Sequence, residues 1–410
     1  MKTVKPIITA TLLAVLSGMN VSYAANTFFP DIEKGRYLAT VGDCTACHTP
    51  EGAKPMSGGK AIETPFGNLI APNLTPDRET GIGAWTDDQF LRAMQEGIGH
   101  NGEYLYGAFP YTAYTKVSKP DLLAIRAYLN TLEPVHNKVE SNQLPFPFNI
   151  RESLMGWNLL FFKKGEFKPD PTQSAEWNRG AYLAEGLAHC STCHNSKNFL
   201  GGDTSDGHLR GYTLQGWVAP TITGDKYQGL GNWKAEDIVE YLRTGRNQFA
   251  AASGPMAEVI TNSTQHMQSD DLRAIAIYLL SQKADIKPPK PVSPDDEAMK
   301  LGQQVYAVNC SACHMANGEG VAKMFPSLKG SGSVLADDPA TLTRVILRGA
   351  KAVSTDAAPT GPAMPAFAWR LSDKDAAAVM TFVRNSWGNA APPVSSSVVT
   401  KARQEAQANP

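Results

Sequence analysis

The 410-residue chain has no cysteine to spare: all six belong to three short motifs, which leaves none for a disulfide. Beyond its N-terminal segment it has no apolar run approaching the roughly 20 residues that a bilayer-spanning helix requires. Basic residues are not in excess. Lys and Arg number 38 against 39 Asp and Glu, a net charge of −1, so the clustered positive surface of a nucleic-acid-binding protein is missing. No glycine-rich turn opens a βαβ unit, and too few residues lie outside the repeated units to build a dinucleotide-binding catalytic domain. What the chain does have is glycine (35) and proline (28), as suits short helices joined by loops that wrap a cofactor.

The cysteine motifs share one form: Cys44-Thr-Ala-Cys47-His48, Cys190-Ser-Thr-Cys193-His194 and Cys310-Ser-Ala-Cys313-His314. Two thiols separated by two residues and followed at once by histidine are the pattern of covalent haem attachment. The thiols bond to the haem vinyl groups and the histidine becomes the proximal iron ligand. A zinc site would need ligands converging from separate places, and a thiol redox pair has no need of the adjacent histidine. Three haem c groups are therefore expected, with His48, His194 and His314 as proximal ligands.

Residues Met1 to Ala24 resemble a secretory signal, with Lys2 and Lys5 ahead of the apolar run Pro6 to Met19 and small residues at Ser22 and Ala24. Cleavage before Ala25 removes two lysines, so the charge goes from −1 to −3. Export agrees with the motifs, because c-type haem is attached outside the bacterial cytoplasm. The expected location is the periplasm, with peripheral attachment to the outer face of the cytoplasmic membrane.

The chain repeats itself three times. Each unit opens with a helical stretch carrying a glycine shortly before the first cysteine (Gly35, Gly180, Gly302), placed to admit a second helix at close range. After the histidine comes a loop with a proline (Pro72, Pro220, Pro326), whose carbonyl is expected to accept the Nδ1–H of the proximal histidine and fix its tautomer. A helix ending in a shared glycine follows (Gly97, Gly245, Gly349), then a closing amphipathic helix with Ser118, Ser269 or Ser372 as the expected N-cap. The predicted fold is all-α, three tandem cytochrome c-type domains over residues 25–137, 173–285 and 297–388, joined by Pro-rich linkers. The linkers fall at 138–172 and 286–296, with a polar tail at 389–410.

Between the shared glycine and the closing helix lies the slot for a distal iron ligand. Met256, in Gly254-Pro255-Met256, and Met364, in Gly361-Pro362-Ala363-Met364-Pro365, fill it in the second and third units, each expected in a proline-flanked loop. A thioether there favours ferrous iron and raises the potential. The first unit departs from the pattern: its slot reads Tyr106-Gly107-Ala108-Phe109-Pro110-Tyr111, and phenylalanine cannot ligate iron. Candidates for the sixth ligand of haem 1 are Met56 in the haem loop, His100 after the shared glycine, and Met94. Met94 aligns with helical Leu242 and Ile346 and so favours core packing. A five-coordinate or water-ligated iron is the remaining alternative. His136, His189, His208 and His266 are expected to be surface or structural residues.

The first linker is unusual for its run of large apolar residues from Leu144 to Phe162, including Phe146, Phe148, Trp157 and Leu159. It predicts either packing between the first two units or a docking surface for a partner or a membrane.

With these features, the segments Pro65-Phe66-Gly67-Asn68, Ala71-Pro72-Asn73-Leu74-Thr75-Pro76-Asp77, Leu105-Tyr106-Gly107-Ala108-Phe109-Pro110-Tyr111 and Met364-Pro365-Ala366-Phe367 resemble one family. It is the tri-haem cytochrome c subunit of membrane-bound periplasmic dehydrogenases, such as gluconate 2-dehydrogenase and quinoprotein alcohol dehydrogenase. The resemblance implies a chain with no catalysis of its own. It implies electron relay from a separate catalytic subunit that carries flavin, pyrroloquinoline quinone (PQQ) or molybdenum, and that oxidises gluconate, alcohols, sugars or aldehydes, to membrane ubiquinone. It also implies Met256 and Met364 as distal ligands, while Phe109 departs from members with methionine there. Two alternatives stand beside it: a peroxidase-like activity at an open haem 1, and a soluble carrier to a terminal oxidase.

Overall fold

Three pairs of crossing helices organise the molecule, each pairing the opening helix of a repeat with its closing helix. The computed structural model describes residues 22–408, so the expected signal at 1–24 lies, except for its last three residues, outside the described residues. The pairs are Ser22–Val41 with Lys119–Leu129, Ala175–Tyr182 with Ser269–Ser281, and Glu297–Asn309 with Asp373–Arg384. At each crossing stands the repeat glycine. A Cβ on Gly35 would lie 1.8 Å from the Ala124 carbonyl oxygen, and one on Gly180 would lie 1.9 Å from that of Ala274. Gly302 meets Ala378 in the same way. No other residue allows two helix backbones to touch at this distance.

Local chemistry accounts for the element ends. Ser118 accepts from the Asp121 amide, and Ser372 forms a capping box with Asp375. The middle helices Asp87–Glu96 and Ala235–Thr244 end on Gly97 and Gly245 in the left-handed conformation. Ser269 is not a cap: Gln268 takes that position and Ser269 is the first helical residue. Helix dominates, but the all-α expectation needs one amendment. Each repeat carries a short antiparallel hairpin: Ala61–Thr64 with Gly67–Ile70, Tyr212–Leu214 with Trp217–Ala219, and Ala350–Lys351 with Ala363–Met364.

The first two repeats share one apolar core, in which Leu38, Leu122 and Ile125 pack in the same cluster as Leu183, Leu272 and Ile275. Their polar contacts are exchanged reciprocally. Tyr37 donates to Asp271 at 2.6 Å, and its repeat counterpart Tyr182 donates to Asp121 at 2.5 Å. Each aspartate also holds a cation from its own repeat, Lys34 on Asp121 at 2.6 Å and Arg179 on Asp271 at 2.7 Å. Burial works to raise the Asp271 carboxyl, but the donors Arg179 and Tyr37 outweigh it and hold the group below its ordinary value.

The third repeat has its own core around Tyr306, Ile346, Val379 and Met380. Its closing helix carries the fully buried Arg384, which donates to the carbonyls of Val334 at 2.8 Å, Ala336 at 2.7 Å and Pro392 at 3.0 Å. The guanidinium thereby ties the residues after 389 to the repeat. Those residues, expected as a polar tail, include the helix Ser396–Ala408, which buries Val399 in the same core and pairs Arg403 with Asp373 at 2.6 Å. Among the described residues no helix is long and apolar enough to cross a membrane.

Gly35→Ala forces the first crossing apart and is expected to destabilise the protein by about 3 kcal/mol. Denaturant titration followed by circular dichroism measures the loss. A midpoint equal to wild type would show that the crossing tolerates a side chain.

Candidate haem-binding sites

Each motif lies just beyond the opening helix of its repeat, on a short helical turn: Cys44–His48, Cys190–His194 and, with Cys310 as its N-cap, Ser311–His314. One turn of helix places both thiols and the histidine side by side. The proximal geometry repeats in all three units. His48 Nδ1 donates to the Pro72 carbonyl at 2.8 Å, His194 Nδ1 to Pro220 at 2.6 Å, and His314 Nδ1 to Pro326 at 3.1 Å. The proline bond commits Nδ1 and leaves Nε2 as the free, basic nitrogen, which is the atom an axial ligand needs. Burial lowers the pKa of each imidazole against the opposing effect of the carbonyl, favouring the neutral ring.

The cysteines are half-buried except Cys313, which is exposed. Burial pushes Cys44 and Cys190 up to about 12, and Cys47 and Cys310 up to about 11. A thiol kept protonated is a poor nucleophile, so these sulfurs suit a finished thioether better than thiol exchange. All six cysteines are free of disulfides. Among the described residues no three His, Cys, Asp or Glu side chains converge as a zinc cluster would need. The donor set therefore fits covalent haem.

The distal candidates are arranged less uniformly. Met364 lies in the hairpin strand Ala363–Met364, half-buried in the core that also contains Cys310 and Tyr306. Met256 is not in a loop: it occupies the first turn of the helix Pro255–Asn262 and packs in a small cluster with Ala252, Ile260 and Val353. Pro255 at the start of that helix supplies the physical reason, since proline suits a first helical turn. In the first repeat, Phe109 packs into the shared core and meets Tyr114 edge-on at 5.5 Å. Met94 is buried on its helix and Met56 is buried in the haem loop, both in that core. His100 stacks on Trp85 at 5.4 Å, and its Nδ1 is buried without a hydrogen-bond partner.

The other histidines are all engaged. His189 Nε2 lies 3.3 Å from the Gly42 carbonyl, His208 Nε2 3.2 Å from Glu185, His266 Nε2 3.1 Å from the Thr261 carbonyl, and His136 Nδ1 3.7 Å from Asp77. Sequence reasoning missed what the His189 contact does. His189 directly precedes the second motif and Gly42 stands two residues before the first, so the first and second motifs stand back to back. Ser263 donates to the Val41 carbonyl at 3.1 Å and Lys60 reaches Glu258 at 3.4 Å across the same seam. Asp43, which occupies the position of His189 in the first repeat, was also missed. Both residues adopt left-handed backbone, at φ 50° and 38°, directly before a first cysteine.

Asp43 Oδ1 is buried without a partner. Burial first, and the Glu258 carboxylate second, push its pKa up to about 8 against the pull of Lys60. The folded chain therefore holds a proton that the unfolded chain releases near its ordinary 3.8, so native stability falls as pH rises from about 4 to about 8. Asparagine tolerates the same backbone and cannot ionise. Asp43→Asn is expected to flatten this dependence and raise the thermal midpoint at pH 8 relative to wild type. Calorimetry from pH 5 to 8 checks it, and parallel wild-type and variant profiles would refute the buried-acid assignment.

Comparison with known proteins adds a family model described as Cytochrome c, matching residues 32–133 and 299–387. The gluconate 2-dehydrogenase cytochrome c subunit of Pantoea cypripedii is 36% identical, covering 88% of this chain and 86% of that protein. The cytochrome c subunit of alcohol dehydrogenase (quinone) from Gluconobacter oxydans (strain 621H) is also 36% identical, covering 96% and 87%. The fructose dehydrogenase cytochrome subunit of Gluconobacter japonicus is 34% identical, covering 96% and 88%.

Proposed function

The chain belongs to the cytochrome c family, among the cytochrome c subunits of dehydrogenase complexes, and from that premise we propose that it carries three covalent haems and relays electrons to ubiquinone. Its electron donor in this reading is a separate periplasmic catalytic subunit that carries flavin, PQQ or molybdenum. The substrate belongs to the gluconate, alcohol, sugar or aldehyde class. Haem supplies a one-electron ferric/ferrous couple when bound.

The observation that carries the reading is the threefold recurrence of one proximal arrangement, a histidine (buried at His48 and His314, half-buried at His194) whose Nδ1 is committed to a proline carbonyl beside two free thiols. The cysteines Cys44, Cys47, Cys190, Cys193, Cys310 and Cys313 would hold the group, and His48, His194 and His314 would offer Nε2 to its iron. Met256 and Met364 act as distal ligands for the second and third haems. The back-to-back contact of the first two motifs supports direct passage of an electron between them. The third repeat docks on the second, where the Val353 amide donates to the Ala252 carbonyl at 3.1 Å and Arg344 lies over Trp217 at 5.1 Å, which supports a serial path. The names of the relatives support the donor: each is the cytochrome subunit of a dehydrogenase, and one names quinone.

Phe109 in the distal slot of the first repeat supports a second reading, an open haem 1 with peroxidase-like reactivity. Peroxide turnover together with a high-spin ferric signal separates it from the relay.

The complex purified from membranes is expected to show a reduced haem α-band on addition of one substrate among gluconate, ethanol and aldehydes, with a cofactor-bearing subunit present. A chain that purifies alone and stays oxidised with all of them would overturn the relay. Met364→Ala is expected to leave haem content unchanged and convert haem 3 to a high-spin or weak-ligand state, seen in the visible and paramagnetic resonance spectra. An unchanged spectrum would remove Met364 from the ligand set.

A further inference from the structure

The helix Pro255–Asn262, which carries Met256, is anchored at two places by residues outside its own repeat. Toward the first repeat, Glu258 takes the Lys60 ammonium at 3.4 Å, and Ser263, just past the helix, donates to the Val41 carbonyl at 3.1 Å. Met256 and Ile260 are four residues apart and so share the other face. They pack in one cluster with Val353, which belongs to the third repeat. The helix is thus held between its two neighbours.

Val353 enters that cluster through a hollow that glycine leaves open. A Cβ on Gly245 would lie 2.0 Å from Val353 Cγ1 and 3.9 Å from Ile260 Cδ1. The valine methyl therefore fills the space where another residue would place its side chain. The backbone seats it there: the Val353 amide donates to the Ala252 carbonyl at 3.1 Å, and the Ala252 amide to the Gly245 carbonyl at 2.7 Å. Beyond it, the Asp356 amide donates to Gln265 Oε1 at 3.1 Å, and Arg246 donates to the Thr360 carbonyl. Val353 is buried in this cluster and takes no part in the core of its own repeat.

The same segment also carries the distal candidate of the third repeat. Val353 follows the strand Ala350–Lys351, whose partner strand is Ala363–Met364, with Ala350 opposite Met364. The Ala352 amide donates to the Pro362 carbonyl at 2.9 Å, and a Cβ on Gly361 would come within 2.0 Å of the Ala352 carbonyl oxygen. One tightly closed hairpin therefore holds Met364 for the third repeat and presents Val353 to Met256 of the second.

Methionine is flexible and fills whatever space it is given, so its sulfur keeps one position only where its neighbours are fixed. Valine is stiff at χ1 and suits that task. The axial ligand and the access of water to it tune the potential of a haem. We propose that Val353 is a positioning residue for the second haem: it holds Met256 in ligating position and keeps water from the thioether. The proposal deepens the relay reading and rests on its assignment of Met256 to that haem.

The test is a potentiometric titration of the full holo-chain followed in the visible spectrum, with Met256→Ala identifying the step that belongs to the second haem. Val353→Ala removes two methyl groups and keeps the backbone bond to Ala252, so the junction stays formed, and unchanged circular dichroism verifies this. In that variant the ferrous-to-ferric ratio of the second haem at a fixed potential is expected to fall about fivefold, a downward shift of about 40 mV at 59 mV per tenfold change. The other two steps are expected to stay in place, and the thioether-to-iron charge-transfer absorption to weaken. Gln228→Ala is the control. It removes the 2.9 Å bond from Gln228 to the Leu335 carbonyl, which joins the same two repeats outside the Met256 cluster, and is expected to move no step. An unmoved second step in Val353→Ala would overturn the proposal. So would an equal shift of all three steps, or the same shift in Gln228→Ala, since either assigns the effect to general loosening of the junction. If Met256→Ala leaves every step and spectrum unchanged, the ligand assignment fails and the positioning role falls with it. A shift in Met256→Ala without one in Val353→Ala refutes the positioning role alone.

Discussion

Two helix backbones in contact set the geometry of every repeat. Where Gly35 passes Ala124, Gly180 passes Ala274 and Gly302 passes Ala378, there is no room for a side chain. The opening and closing helices are therefore locked at one crossing point. The cysteine motif begins 8 to 10 residues beyond that point, so the crossing also constrains where the thiols and the histidine stand. The loop proline then needs only to bring its carbonyl to a ring already in place, and the same 2.6 to 3.1 Å bond forms in all three units.

A second level of organisation joins the repeats. Tyr37 and Tyr182 occupy the same position in successive units, as do Asp121 and Asp271, and each tyrosine bonds the aspartate of the other unit. The exchange is reciprocal, so it fits a near-twofold arrangement of two similar halves around one core. Each aspartate is also paired with a cation, and a buried carboxylate with two donors costs much less than one left alone. The outcome is functional as well as structural, because the pairing sets Gly42 against His189 and thereby one motif against the next. The third unit is completed by a different device, the buried Arg384, which binds carbonyls on both sides of its helix.

Much of this was legible residue by residue. The CxxCH motifs, the glycine ahead of each, the proline carbonyl and the caps at Ser118 and Ser372 follow from chemistry acting over a few bonds, and the structure has them where expected. Departures arise where longer-range packing decides. Met256 was expected in a loop and sits in a helical turn, because Pro255 starts a helix whose Ile260 packs beside Val353 of the third repeat. The hairpins were too short to show an alternating pattern. Ser269 lost the cap position to Gln268 by one residue, a distinction no composition rule makes. The residues after 389 are polar by count, yet Val399 finds a core that exists only once the third repeat has folded. Asp43 gave no signal of its own. A comparison of the residues preceding the first cysteine in each repeat, Asp43, His189 and Asn309, would have drawn attention to it.

By itself the sequence determined the motif chemistry and its periodicity: where two cysteines and a histidine stand together, that they do so three times, and which proline carbonyl stands ready beside each histidine. These depend on residue type and short spacing, and short spacing survives any global arrangement. Only the tertiary structure decided how the units meet. It buried one carboxylate oxygen of Asp43 without a hydrogen-bond partner, set two motifs back to back, and turned a run of apolar linker residues half inward and half outward. The reason is physical: burial, pKa and exposure belong to the surroundings of a group, and those surroundings are assembled from residues hundreds of positions apart, as Tyr37 and Asp271 are.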